Sequence, residues 1–394
     1  MKINSWEKCK NAIHLLLQQT FWIRCIWYVI PLLAVLIKAL QGPLNNYLIY
    51  KGVFYHTLQK TNLYYYYPSK YFDKNHYGIL FSLVIAPFTL LPDIVSVILY
   101  QAIQLFALQA VIRLLPMVES RKNALLLFLL FDAIANCQNV QTNTFIAFVM
   151  VGSYIYIYTK QEAKAAFLTI LGFFIKLYGI VGLGLFFFVK RKPRYILFLL
   201  LSAVVCYCLP LFITNFKFIN QSYVDWWVEL GHKNGTNSDE QNVHQNMSAI
   251  GFFMKLTGRQ AFNMTYVVIP AFVLQLLPMI RRRLFHNTQF QLHYLASLMM
   301  FIILFNTATE TSTYIIGATG AGIWWLTQKK STSTAMIVFV LFVFLAGTLS
   351  TTSLVPSYVN YDIFRKYSLK SIPYLMVWCI CIYQLILSKF EAEI

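Results

Sequence analysis

The residues of this sequence best able to do chemistry are an aspartate, a glutamate and a lysine in largely apolar company. Asp73 falls in TNLYYYYPSKYFDKNHYG, residues 61–78, a stretch with six tyrosines that sets Lys70, Lys74 and His76 beside the acid. A carboxylate so placed can take the proton of a sugar hydroxyl as it attacks an anomeric carbon. It can equally be a solvated loop acid paired with Lys70 or Lys74. Glu310 stands in NTATETSTYIIG beside Thr311, Ser312 and Tyr314. It can orient substrate hydroxyls, or simply favour a helix N-terminus through the helix dipole. Lys176, in GFFIKLYGI, is central to an apolar run, and a cation inside a membrane is costly enough to be functional by default. A phosphate is its natural partner; snorkelling to the interface is the alternative.

Other candidates are weaker. Asp132, in LLFDAIANCQ, either pairs with Lys176 or caps a helix break. Gln141 and Asn143 can bond a sugar or form a tight turn between two helices. His232 and His244 flank KNGTNSDEQN, where they are solvated or reach a phosphate or sugar. The two Cys-x-Cys pairs, Cys206/Cys208 and Cys379/Cys381, have no further ligand at zinc spacing. Glycine-rich phosphate loops, nucleophile elbows and zincin motifs are lacking, so neither a cofactor nor a divalent metal is indicated.

The elements that must position these residues are membrane helices. The chain is 58% hydrophobic and only 12% charged, with a mean hydropathy of +0.59, too apolar for a soluble domain. Apolar runs recur over 21–40, 93–115, 123–138, 142–158, 163–176, 177–189, 194–214, 261–280, 289–305, 310–326, 333–353 and 373–388. The expected fold is an all-α polytopic membrane protein, one integral domain over 1–394, with about twelve transmembrane helices. The N-terminal segment lacks a small-residue cleavage site and is expected to be retained. Residues 78–92 are short and contain Pro87 and Pro92, so they read as a partial membrane element. Residues 163–176 and 177–189 read as broken helices meeting at Lys176.

The net charge of +18 is spread over short loops: residues 2–10, ESRKN, KQEAK, KRKPR, RRR and QKK. That is the positive-inside pattern and argues against a nucleic-acid partner. It places both termini in the cytoplasm and five segments outside: 41–77, 139–143, 215–260, 306–310 and 354–372. The first outer loop, 41–77, and the long outer loop, 215–260, carry amphipathic, aromatic-rich stretches expected to lie as interfacial helices. No internal repeat of fixed period is present.

Several stretches resemble, in order, those of the polyprenol-phosphate-mannose-dependent mannosyltransferase-like integral membrane family, within the C-type glycosyltransferase superfamily. They are NNYLIYKGVFYHTLQKTNLYYYYPSKYFD, YGILFSLVIAPFTLLP, NVQTNTFIAFVMVGSYI, AAFLTILGFFIKLYGIVGLGLFFFVKRK and TETSTYIIG, covering roughly residues 40–330. The resemblance implies a C-type glycosyltransferase-like helical bundle in a bacterial plasma membrane. It would move a hexose, mannose first, from a polyprenyl-phosphate donor to a lipid-linked or cell-envelope glycan acceptor on the outer face, with inversion. A first-loop carboxylate would act as base. Its implied catalytic residues are Asp73 and Glu310. Lys176, His76 and His232 would hold the donor phosphate, and Asn46, Tyr47, Gln141, Asn143 and Tyr314 the acceptor or sugar.

The sequence departs from the family where Asn45-Asn46 precede Tyr47 in place of an acid, and where Tyr77-Gly78-Ile79 lacks the usual proline. Either Asp73 has taken the base role or the chemistry is altered or absent. Two other readings stand beside the enzyme: a transporter or flippase of lipid-linked glycans, and a non-catalytic scaffold. A flippase should carry substrate-facing charge at both faces, whereas the acids here cluster on one.

Overall fold

The computed structural model describes residues 17–237, 246–257, 262–352 and 354–390. The basic residues at 2–10 and the candidate His244 lie outside the described residues. Every described regular element is helical.

The chain opens with α1 (Thr20–Leu40) and α2 (Asn45–Gln59), then runs irregularly through the tyrosine-rich stretch to α3 (Phe81–Thr89). With nine residues, α3 is about 14 Å long at 1.5 Å per residue, half the ~30 Å of a hydrocarbon core. Next come α4 (Asp93–Arg113), α5 (Glu119–Gln138), α6 (Asn143–Tyr158) and α7 (Glu162–Ile175). A 3-10 helix, Leu177–Phe188, leads to α8 (Lys192–Cys208), α9 (Phe216–Asn237) and α10 (Ala249–Thr257). The remainder is α11 (Thr265–Leu276), α12 (Thr288–Leu304), α13 (Tyr314–Leu326), α14 (Thr334–Phe342) and α15 (Ser371–Leu387).

Among the described residues three helices are long and apolar enough to cross a bilayer: Thr20–Leu40, Asp93–Arg113 and Lys192–Phe212. Six other apolar helices have 10–17 residues.

Burial separates two kinds of helix. α6, α12 and α13 are buried nearly all round and form the centre. α1, α8 and α11 bury a narrow stripe and expose Phe21, Leu33, Leu200, Val204 and Phe272. On a soluble protein such surfaces would drive association; against lipid tails they cost nothing. Inside the bundle, cohesion must come from close packing and polar contacts. Backbones approach closely between α7 and the 3-10 helix, where a Cβ on Gly179 would meet the Gly172 carbonyl carbon at 2.2 Å.

The chain breaks at Lys176. α7 stops at Ile175, Lys176 takes an extended conformation (φ −147°, ψ 126°), and twelve residues of 3-10 helix follow. A 3-10 run of that length is uncommon, and it exposes backbone that only protein or a polar cavity can accommodate in a membrane.

Asp132 pairs with a lysine, but not with Lys176. Its Oδ1 lies 3.3 Å from Lys370 Nζ, and both side chains are 1% exposed. Lys370 Nζ also reaches Thr351 Oγ1 at 3.1 Å and sits over the Tyr314 ring. Shared apolar surroundings in the sequence point to the wrong partner, because the pairing joins residues 238 positions apart.

The five segments expected to share a side do meet at one end of the bundle. Asn46 donates to the Asn139 carbonyl at 2.7 Å. Trp226 Nε1 donates to the His76 carbonyl at 2.9 Å, and Thr307 Oγ1 donates to Asn234 Oδ1 at 2.5 Å. Ser368 Oγ donates to the Asn246 carbonyl at 2.6 Å.

Candidate active site

A cavity of about 560 Å³ opens at that end, and Asp73, Glu310 and Lys176 all line it. Its polar wall also includes Asn46, Lys74, His76, Gln141 and Lys233. Ile180, Met264, Val268, Ile302 and Phe305 make an apolar wall.

Asp73 is placed by a short turn. Its φ is 87°, in the left-handed region that aspartate enters more readily than most side chains. Asp73 Oδ1 accepts from the Lys74 backbone N–H at 2.8 Å. The preceding residue is pinned by Asn45, whose side-chain amide donates to the Phe72 carbonyl and accepts from the Phe72 N–H. A carboxylate at position 45 has no donor and cannot make both bonds. The asparagine that departs from the family pattern therefore fixes the backbone beside Asp73.

The turn is anchored again at Gly78, whose N–H donates to the Ile175 carbonyl at 3.2 Å. A Cβ there would meet the Phe174 carbonyl oxygen at 2.2 Å, so only glycine lets the tyrosine-rich loop lie against the break at Lys176.

Electrostatics keep Asp73 ionised. Its side chain is 51% exposed. Burial acts to raise the carboxyl, but His76, Lys233 and the Lys74 N–H outweigh it and hold it at about 2. His76 Nε2 is 3.7 Å from Oδ1 and Lys233 Nζ 3.8 Å from Oδ2.

Lys176 has a neutral partner. Its Nζ donates to Asn143 Oδ1 at 2.7 Å and lies over the rings of Tyr77 and Tyr178, at 5.6 and 4.9 Å. Tyr77 in turn ties three segments together. Its hydroxyl meets Tyr50 at 3.0 Å, Gln141 Oε1 at 3.2 Å and Thr142 Oγ1 at 2.8 Å. Gln141 follows Val140, a β-branched residue at φ 48°. This left-handed residue ends α5 and turns the chain so that Gln141 reaches the cavity. Glu310 opens the turn before α13 with a capping box, its N–H accepted by Thr313 Oγ1 at 3.1 Å.

Not every expected residue lines the cavity. Tyr47 is buried, with its hydroxyl on the Phe88 carbonyl at 3.0 Å. Asn143 is buried behind Lys176. Tyr314 is buried, donating to the Met247 carbonyl at 2.6 Å. His232 is exposed on α9 outside the cavity, whereas the next residue, Lys233, lines it. Sequence reading passes over Lys233 and Glu229. Their one signal is the spacing of Asp225, Glu229 and Lys233 along one face of α9.

A helical bundle with lipid-compatible outer faces and a cavity lined by two carboxylates and three lysines defines a polytopic membrane protein with a polar site at one end. Residues 75–307 match glycosyltransferase family 87, well over half of the chain, and the chain belongs to that family. It is a membrane glycosyltransferase of the C type. The match begins two residues after Asp73 and ends three before Glu310, so it spans Lys176 and α9 but neither candidate acid. No curated protein matches the chain.

Proposed function

We propose that the protein transfers a hexose, mannose first among them, from a polyprenyl-phosphate donor to a hydroxyl of a lipid-linked or envelope glycan. The observation that carries this reading is the convergence of Asp73, Glu310 and Lys176 on one cavity. In this reading the apolar elements form about twelve spans, both termini are cytoplasmic, and the cavity faces outward in a bacterial plasma membrane.

The acceptor oxygen attacks the anomeric carbon from the side opposite the phosphate, and the new glycosidic bond forms with inversion. Asp73 takes the hydroxyl proton as the bond forms. The anomeric C–O bond breaks, and polyprenyl phosphate leaves with the electron pair. Lys74 and Lys233 have carboxylates close by, at 3.1 and 3.8 Å. Lys176 faces the cavity hydrogen-bonded to a neutral amide, with no carboxylate in ion-pair range among the described residues, so its charge is open to a phosphodiester. Glu310, Asn46 and Gln141 are suited to orient sugar hydroxyls. The apolar wall suits the first isoprene units. The reading needs no cofactor.

The test is transfer by the reconstituted chain from a short-chain polyprenyl-phosphate mannose, with nucleotide-sugar donors in parallel and Asp73→Asn as control. Turnover from a nucleotide sugar alone would falsify the donor assignment. Full activity of Asp73→Asn would remove Asp73 as base.

A further inference from the structure

One acid beside the cavity has no part in the reaction just described. Glu229 lies on α9, its side chain 7% exposed, and it does not line the cavity. A carboxylate buried this far is costly unless it is paired. Glu229 Oε2 sits 3.1 Å from Lys74 Nζ, and Oε1 sits 3.6 Å from His76 Nδ1. Both partners belong to the turn that begins at Asp73.

The rest of that helix face grips the same loop. Asp225 Oδ2 accepts from Asn62 Nδ2 at 2.8 Å, Trp226 Nε1 donates to the His76 carbonyl at 2.9 Å, and Lys233 Nζ approaches Asp73 Oδ2. These residues fall at i, i+1, i+4 and i+8, so they share one side of α9. One residue further on, Asn234 accepts from Thr307 at 2.5 Å, on the wall that carries Glu310. α9 thus bridges the two candidate acids.

We infer that Glu229 is a positioning residue for the transfer: by holding Lys74 and His76 it fixes the left-handed turn that presents the Asp73 carboxylate to the cavity. The inference rests on the reading of Asp73 as base. The charged or titratable groups facing Asp73 are His76 from its own turn and Lys233 from α9, with the Lys74 backbone N–H beside them and the Lys74–Glu229 pair behind; Lys176 and Glu310 line the same cavity. Loss of Glu229 frees two of these groups and leaves Asp73 to relax.

The experiment compares Glu229→Gln, Trp226→Phe and Asp73→Asn in the full chain in lipid nanodiscs. The probe is a short-chain polyprenyl-phosphate mannose with a lipid extract of the source membrane as acceptor, and polyprenyl phosphate release is followed. A carboxylate misplaced by about 1 Å can lose ~10²-fold in rate, so Glu229→Gln is expected to lower kcat by about ten- to a hundredfold, with donor KM changed less than about threefold. The acid limb of its kcat/KM profile should move to higher pH, because Asp73 loses the held His76. Trp226→Phe removes a second grip and should show the same split more weakly; it also carries the test should Glu229→Gln fail to fold. Parental kcat and pH profile in Glu229→Gln, with Asp73→Asn inactive, overturn the positioning role and leave the transfer reading intact. Equal losses in kcat and affinity with an unmoved acid limb make Glu229 a purely structural acid and also overturn it. An active Asp73→Asn overturns the underlying reading, and the inference with it.

Discussion

Two lysines in this protein sit in largely apolar surroundings, and they have opposite fates. Lys370 is sealed against Asp132, with both side chains 1% exposed, and Thr351 and the Tyr314 ring complete its shell. Lys176 lies on the wall of a cavity, bonded to a neutral amide and stacked over two tyrosines. The first is a closed ion pair that joins α5 to the start of α15. The second has its positive charge uncompensated by any carboxylate in the ion pairs of the described residues, and faces a space large enough for a ligand. The contrast separates a charge closed inside the bundle from a charge open to a cavity, and mutations at the two ends should divide the same way.

The largest effect belongs to the cavity end. Asp73→Asn keeps the shape of the side chain and removes its basicity, and general-base assistance is worth ~10²–10⁴ in rate. Transfer should fall by that factor while donor binding and thermal stability hold. The sign of the pH dependence follows from the depressed carboxyl. Asp73, held at about 2, is ionised above that value, so the base is present throughout the neutral range and is lost only as pH falls toward about 2. A kcat/KM profile whose acid limb lies near neutrality would assign the base to another group.

The interior should answer in stability. Lys370→Met leaves Asp132 buried without its partner, which costs about 3–5 kcal/mol. Removing both charges in Lys370→Met/Asp132→Leu should recover most of the loss, because an apolar pair of similar volume is tolerated. Thermal unfolding in detergent reads both variants. If Lys370→Met melts like the parent but binds donor poorly, Lys370 belongs with Lys176 and the contrast collapses.

Lys176→Met should do the reverse. A charge-assisted hydrogen bond to phosphate is worth about 1.5–3 kcal/mol, so donor affinity should weaken by about ten- to a hundredfold. The protein should remain folded, though Asn143 loses a partner. Unchanged donor affinity in the purified variant would make Lys176 structural.

Why one lysine is legible in the sequence and the other is not has a physical answer. Lys176 interrupts an apolar run, so its cost is visible without any structure. Lys370 lies in the mixed stretch YDIFRKYSLKSIPY, where a lysine is ordinary, and its burial arises only when α5 packs beside it. The helices are readable because apolar runs alternate with basic turns, and the described elements fall within a few residues of those runs. Helix length is less readable. α3 stops after nine residues, and several apolar runs continue as 3-10 or π turns instead of full helices. At the site, sequence order cannot show that Asn45 clasps Phe72, or which loop the charged face of α9 meets. Both are contacts between distant segments. Histidine is the more suggestive residue type, which favours His232 over Lys233 in the sequence; the helix phase of α9 decides otherwise.

The smallest effect is expected at Glu310, where the cavity end is least dependent on charge. A glutamine side chain at this position would still offer an oxygen acceptor to the Thr313 N–H, so the turn ahead of α13 should keep its cap. What Glu310→Gln removes is the negative charge facing the cavity. If Glu310 orients hydroxyls without taking a proton, the loss is that of one hydrogen bond weakened from charged to neutral, about 0.5–1.5 kcal/mol or roughly two- to tenfold in kcat/KM. The proton acceptor must lie within hydrogen-bond reach of the attacking hydroxyl, and both acids line the same cavity, so geometry alone admits either in that role. Electrostatics distinguish them. Asp73 is flanked by His76 and Lys233, whereas no ion pair among the described residues includes Glu310. Measured side by side, Glu310→Gln should keep at least about a tenth of the parental rate while Asp73→Asn keeps less than about a hundredth. The opposite ranking would exchange the two roles, leaving the cavity as the site and moving the base from the tyrosine-rich loop to the turn before α13.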